Sequence, residues 1–536
     1  MTTVHEATYD LLRSLGLTTL FGNPGSTEEP FLKNFPADFA YVLALQEASA
    51  VAMADGYAQS SGRPVHVNLH TAPGTGNGMG SLVTAWHNKT PMIVTAGQQT
   101  RTMNLFEPML TNVRPTQLPE PYVKWSHEPL RAQDIPEAFM RAHATAVQPP
   151  AGPVYLSLPL DDWDEPANGT PEVRRVSTRV APDPAVLARF AEILAGSRQP
   201  MLVIGSGVDR AGGWAEAVAL ADRSRAPVWQ PPFADRVGFP QDHPQFQGLL
   251  PPAIGPLAEK LVGHDTVLVI GAPVFRYYPY VPGRRGYLPE GTRLLHITDD
   301  PAEAARAPVG ESLVGDVTLA CAALTELLPA ADRPMPPTRP AAPDGAAGAP
   351  GTPLKPETLF GALAAEWPAD GIVVPETPSN LSALHRQLTI VRPGSYFKMA
   401  SGGLGFALPA AVGIALAQRD TRRHRPVVAV IGDGSFQYSP QALWTAAQHR
   451  LPVVFVVPVN QEYGVLKAFA ELERAPGVPG LELPGLDIPG IARGYGCTAH
   501  QVESVDEFRT AFRAALGTEG PTVLAVPITR DVAPLL

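Results

Sequence analysis

The chain has 536 residues, of which 45% are apolar and only 17% charged, and its formal net charge is −10. That acidity argues against nucleic acid or an anionic membrane as partner, and the length exceeds one ordinary core, suggesting about three domains. Sixty prolines are scattered through turns and linkers rather than gathered in a tract, which marks compositional bias and not disorder.

The opening "MTTVHEATYDLLRSLG" has the period of an amphipathic helix, without the basic and apolar regions of a signal peptide. No run of about 18 apolar residues suggests a membrane span. Cys321 and Cys497 lie far apart, with neither metal-ligand spacing nor a disulfide framework. A soluble, cytoplasmic protein in a reducing compartment is expected.

Short apolar runs then alternate with helical patterns, as in α/β domains with parallel sheets. "TTLFGNPG", "AYVLALQ", "PVHVNLHTAPG", "PMIVTAG" and "GPVYLSLPLDDW" are expected strands, and "EASAVAMADGYAQSSG" an expected helix. After a polar linker come the strands "PMLVIGSGV", "APVWQPPF", "DTVLVIGAPVF" and "TRLLHITDDP". The stretch 329–356 is almost only Pro, Ala and Gly, with nothing to bury. A last block holds "GIVVPET", "RPVVAVIGDG", "PVVFVVPVN" and "PTVLAVPI". The expected fold is α/β, with three doubly wound parallel-sheet domains at 1–180, 181–340 and 357–536 and a linker at 341–356.

In the middle block, "VIGSGVDRAGG" places Gly205 and Gly207 after a strand, and Asp299 and Asp300 end a later one. A dinucleotide fingerprint needs a third glycine at the proper step, where Arg210 stands, so a structural glycine turn is the favoured reading. In the last block Asp433 lies between Gly432 and Gly434 at a strand end, and Asn460 ends the next apolar run. Asp-Gly alone is ordinary turn chemistry. A carboxylate and an amide oxygen at two neighbouring strand ends are also what Mg²⁺ takes, with phosphate oxygens completing its shell. The flanking glycines would let backbone N–H groups approach a diphosphate.

With "FGNPGS", "LALQEA", "ADGYAQ", "NLH", "GTGN", "ASGGLGFALPAA" and "ALWTAAQ" in order, the chain resembles the thiamine-diphosphate-dependent enzymes over nearly its whole length, most closely the benzoylformate decarboxylase group. The resemblance implies pyrimidine-binding, central and diphosphate-binding domains, with thiamine diphosphate and Mg²⁺ as cofactors. It implies non-oxidative decarboxylation of a small 2-oxo acid, benzoylformate-like or branched, to an aldehyde. A carboligase or 2-hydroxyacyl lyase with the same cofactor, and a non-catalytic paralogue, are the alternatives. A homodimer or homotetramer is implied, with the active site between chains.

The resemblance also carries roles onto matching positions. Glu47 is the carboxylate on N1′ of the cofactor's pyrimidine, Ser26 binds the substrate carboxylate, and His70 moves protons. Ser26 also begins "STEE", a capping-box pattern, so an N-cap is the alternative to the favoured substrate role. His66 and His87 are left as structural. Gly25, Gly402, Leu404, Gly432, Gly434, Ser435, Tyr463 and Gly464 are implied to surround the cofactor, Leu404 propping it bent. Asp433, Asn460 and the carbonyl of Glu462 are implied metal ligands, with Val459 where relatives often have another asparagine. Leu466 and Phe469 match pocket-lining positions, and Met109 and Leu110 are added to them. Two residues depart from the pattern. Tyr278 stands where a second catalytic histidine is expected, and a phenol is a poor base near neutrality. Lys398 replaces an aromatic residue, so it either turns to solvent or calls for a polar or anionic substrate tail.

Overall fold

A computed structural model describes residues 1–279, 287–340, 352–531 and 535. Its strands form three sheets in which every pairing is parallel. The first contains β1 (Thr19–Gly22), β2 (Ala40–Leu43), β3 (Val65–Leu69), β4 (Met92–Gln98), β5 (Ser126–His127) and β6 (Pro153–Pro159), ordered β2-β1-β3-β4-β6-β5. The second contains β7 (Pro200–Ile204), β8 (Val228–Gln230), β9 (Phe246–Leu249), β10 (Thr266–Ile270), β11 (Arg293–Thr298) and β12 (Glu311–Val314), ordered β12-β11-β10-β7-β8-β9. The third contains β13 (Ile372–Glu376), β14 (Val427–Ile431), β15 (Val453–Val459), β16 (Thr498–Gln501) and β17 (Thr522–Pro527), ordered β13-β14-β15-β17-β16.

Central strands such as "VVAVI" of β14 are buried throughout, because helices cover both faces of a parallel sheet. The strands that periodicity misses are β5, β9, β12 and β16, all four at sheet edges. Sequences such as "SH" and "TAHQ" are too short and polar to announce themselves. The expected strand at 226–233 shortens to β8, since Pro231 and Pro232 lack ladder donors. Of the expected linker at 341–356, residues 341–351 lie outside the described residues; Leu354 bridges to Ile528 and a helix begins at Pro356.

Two contacts govern how these units meet. Helix Glu47–Ser61 is buried almost all round and crosses helix Ala407–Asp420 at backbone contact. A Cβ at Gly56 would lie 2.3 Å from the Ala410 carbonyl oxygen, and one at Gly413 would lie 1.8 Å from that of Met53. In the second sheet, the turn at Gly205–Gly207 packs directly on Gly271 and Ala272. The cavity left there is only about 20 Å³, and Arg210 is paired with Asp235. That strand-end crevice has no room for a nucleotide, and its glycines serve packing.

Gly413→Ala is expected to destabilise the fold by about 1–3 kcal/mol or more, because backbone must move to admit the methyl group. Thermal or urea denaturation checks this against Gly255→Ala. Position 255 has nothing within 4 Å of an added Cβ, so that control should be neutral or mildly stabilising.

Candidate functional site

The order of the first sheet reverses between β1 and β3, the place where open α/β sheets bind ligands beyond their carboxyl ends. The loop after β1 carries residues 23–28, and His70 follows β3. Glu47 opens the helix after β2 and is 7% exposed. Its two oxygens accept hydrogen bonds from Asn23 Nδ2 and Asn77 Nδ2, each 3.1 Å, so the carboxylate is fixed before any ligand arrives.

His70 Nδ1 donates to Glu28 Oε2 at 2.8 Å, and Thr27 Oγ1 lies 3.2 Å from the same nitrogen. Glu28 is 1% exposed and also accepts from Gly97 N, Gly25 N and Thr27 Oγ1. With Nδ1 engaged, Nε2 is the ring nitrogen left to exchange protons. Gly25, expected at the cofactor, packs on this imidazole: a Cβ there would lie 2.1 Å from Nδ1. Ser26 is exposed, and the expected N-cap does not form; the following helix is Glu29–Leu32, with Glu28 at the cap position and no side-chain cap bond. The Ser26 hydroxyl has no partner among the described residues. His66 is a core residue, bonded to Thr95 Oγ1 and pushed down to about 3 by burial, and His87 is half-buried.

The second group lies beyond β13, β14 and β15. A cavity of about 30 Å³ is lined by Thr377–Asn380, Leu404, Gly432–Ser435, Asn460, Glu462, Tyr463 and Val465, and none of Ser26, Glu47 and His70 reaches it. Asp433 is 2% exposed; its oxygens accept from Gly434 N (2.9 Å) and Gln461 N (2.6 Å). Burial lifts its carboxyl above the usual range against those bonds, and it forms no ion pair among the described residues. Asn460 Oδ1 faces Glu462 N at 3.3 Å. The Glu462 side chain is held by Lys467, and Glu462 also lines the cavity. This oxygen set suits a hard divalent cation, and the volume admits about one small ligand. Gly434 lies against the Tyr463 ring, and Gly464 begins helix Gly464–Leu472. Gly402 and Gly403 are exposed just before half-buried Leu404.

That segment is anchored by Glu376, a residue that sequence reasoning missed. Its buried carboxylate accepts from Gly405 N, Phe406 N and Ala407 N at 2.7–2.9 Å. Burial nevertheless raises its pKa to about 7. Glu28 was likewise hidden inside the capping-box pattern, and its only sequence signal is the acid in "GNPGSTEE". Helix Gly464–Leu472 keeps much of its apolar side uncovered. Phe469 packs on Tyr278 with ring centroids 4.9 Å apart, and Leu466 is exposed. Tyr278 thus does stand beside the expected pocket wall. Met109 is exposed and Leu110 half-buried on a separate loop. Lys398 does not turn to solvent; it is 9% exposed.

Three models of the thiamine pyrophosphate enzyme match the chain: the N-terminal TPP binding domain at residues 2–115, the central domain at 187–324 and the C-terminal TPP binding domain at 379–526. The chain is 50% identical to a benzoylformate decarboxylase of Pseudomonas aeruginosa, over 100% of both chains. It superposes on the crystal structure of benzoylformate decarboxylase from Polynucleobacter necessarius with a TM-score of 0.97, at 50% identity over 100% of both chains. A thiamine diphosphate-dependent 4-hydroxybenzoylformate decarboxylase of Rhodococcus jostii RHA1 gives a TM-score of 0.94 and 44% identity, covering 99% of this chain and 100% of that one.

The raised pKa of Glu376 has a calculable sign. Its stabilising contribution is fully present below the ordinary value of 4.5 and is lost as pH rises through about 7. The melting-temperature advantage of the native chain over Glu376→Gln is therefore expected to shrink between pH 4.5 and 7.5. Paired thermal melts across that range check it.

Proposed function

The chain belongs to the thiamine pyrophosphate enzyme family, and from that premise we propose that it decarboxylates benzoylformate or a related aryl or branched 2-oxo acid to the aldehyde. The observation that carries this is full-length 50% identity to a benzoylformate decarboxylase. The His70–Glu28 pair at a sheet switch point agrees with it.

Thiamine diphosphate, when bound, supplies the electron sink into which the carboxyl carbon's bonding pair passes as CO₂ leaves. Everything else falls to this chain's side chains. Glu47, held by Asn23 and Asn77, offers a carboxylate to the pyrimidine. Ser26 presents a free hydroxyl to the substrate carboxylate. His70 gives and takes protons at Nε2 while Glu28 holds its tautomer and ring plane. Asp433, Asn460 and the Glu462 carbonyl would supply oxygen ligands to Mg²⁺, and Leu404 would support the cofactor. Phe469, Leu466 and Tyr278 offer an apolar wall to the substrate.

A second reading, carboligation, draws on Tyr278. No histidine stands at that position to protonate the product carbanion, so an added aldehyde would compete for it.

Ser26, Glu47 and His70 sit apart from the Asp433 cavity within one chain. Leu105 and Phe106 are 83% and 77% exposed on the loop near Leu110. A second copy that covers this loop and completes each site accounts for both, so at least a homodimer is the working assembly. No helix among the described residues is long and apolar enough to cross a membrane. Both cysteines are buried and free, consistent with a cytoplasmic enzyme.

CO₂ release from benzoylformate with thiamine diphosphate and Mg²⁺ tests the assignment; no turnover of any aryl glyoxylate would end it. His70→Ala is expected to lower kcat by about 10²–10⁴-fold, the usual worth of a positioned acid–base group. Glu28→Gln should lower it by about 10-fold or more and move the pH–rate profile, because the imidazole loses its acceptor. Asp433→Asn should weaken Mg²⁺-dependent thiamine diphosphate binding by calorimetry. Hydroxy-ketone rather than free aldehyde, with acceptor present, would favour the second reading.

A further inference from the structure

Lys398 is buried, yet its ammonium makes no hydrogen bond or ion pair among the described residues, although its own N–H donates to the Asp235 carbonyl oxygen at 2.9 Å. A buried cation is costly unless something pairs with it. The acids nearest in charge are already engaged. The Asp235 carboxylate is paired with Arg210, and Glu376 accepts three backbone N–H groups. The other charged neighbour is a second cation, Arg276, whose only hydrogen bond among the described residues is to the Ala400 carbonyl oxygen at 2.8 Å. Among the described residues neither the Lys398 ammonium nor the Arg276 guanidinium forms an ion pair, although the Asp235 carboxylate acts on both.

Their position ties them to the site. Ala400 is two residues before Gly402, and Leu404 lines the cavity at Asp433. Two residues beyond Arg276, Tyr278 stacks on Phe469 of the apolar wall. The loop that carries Arg276 thus touches both the segment leading to Gly402, through Ala400, and the wall helix, through Tyr278.

Resting on the decarboxylase reading, we propose that Lys398, with Arg276 beside it, recognises an oxygen acceptor on the end of the 2-oxo acid remote from its keto group. The substrate class is then an aryl 2-oxo acid bearing a ring hydroxyl or carboxylate, rather than a bare phenyl ring. The groups facing Lys398 that could share its titration are Asp235, Glu376, Arg276 and His385. Burial has brought the Lys398 pKa down to about 8, so the ammonium is retained at neutral pH and lost just above it.

The test compares kcat/KM for benzoylformate, 4-hydroxybenzoylformate and 4-carboxybenzoylformate in the native enzyme, Lys398→Met and Lys398→Arg. The native enzyme is expected to prefer at least one oxygen-bearing substrate over benzoylformate by about tenfold or more, the worth of one charge-assisted hydrogen bond. Lys398→Met should abolish that preference and Lys398→Arg should keep part of it. Preference for the carboxylate identifies an anion as the recognised group, and preference for the hydroxyl identifies a neutral acceptor. Should the variants not fold, the native enzyme decides: its KM for the preferred substrate should rise between pH 7 and 9 while that for benzoylformate stays level. A substrate ratio near one, a ratio that survives Lys398→Met within twofold, or a level KM ratio across pH overturns the inference while leaving decarboxylation intact. CO₂ from none of the three substrates overturns both.

Discussion

The crossing of helices Glu47–Ser61 and Ala407–Asp420 is the contact on which the arrangement of the chain depends. Both backbones meet through positions where a methyl group would strike a carbonyl oxygen, so the distance between first and third sheets is set by the absence of two side chains. The helices are buried nearly all round, and one hydrophobic cluster runs through both domains without a seam. One helix starts at Glu47. The other starts at Ala407, directly after the segment that carries Gly402 and Leu404. Glu47 and the segment of Gly402 and Leu404 are therefore mounted on the same rigid pair.

Buried carboxylates then do the fine placement. Glu28 gathers three side-chain and backbone donors besides His70, and so fixes the imidazole. Glu376 at the end of β13 binds the first N–H groups of helix Ala407–Asp420, where the backbone has no partners of its own and favours an anion. Asp55, lifted to about 6 by burial, accepts from Gln59, Asn88 and Thr90, while Asn88 Oδ1 accepts from Ala400 N. Through this relay the helix that begins at Glu47 also holds the strand-like segment leading to Gly402. Low dielectric makes each of these bonds strong, and makes each costly to leave unmade.

The central domain shows the same economy with a different result. Its glycine turn occupies the place where related topologies accept nucleotides, yet Gly205 and Gly207 are filled by Gly271 and Ala272. Arg210, which breaks the fingerprint, is committed to Asp235. What this domain offers the site is its loop at 271–279: Arg276 reaching Ala400 and Tyr278 lying on Phe469.

Sequence alone determined the α/β class, the central strands and the residues at their carboxyl ends. Apolar runs bounded by glycine and polar residues are local signals, and Glu47, His70, Asp433 and Asn460 sit in dense motifs. Short edge strands such as β5 and β16 carried no such signal. Nor did local pattern show that "STEE" supplies Glu28 to His70 instead of capping a helix, because Glu28 gains its partners only when Gly97 and His70 are brought to it across the sheet. The same holds for Lys398, whose burial between the central loop and β13 no periodicity announces. Tertiary structure decided these points for one physical reason: a buried polar group takes its character from partners far away in the chain, and only packing brings them within hydrogen-bonding distance.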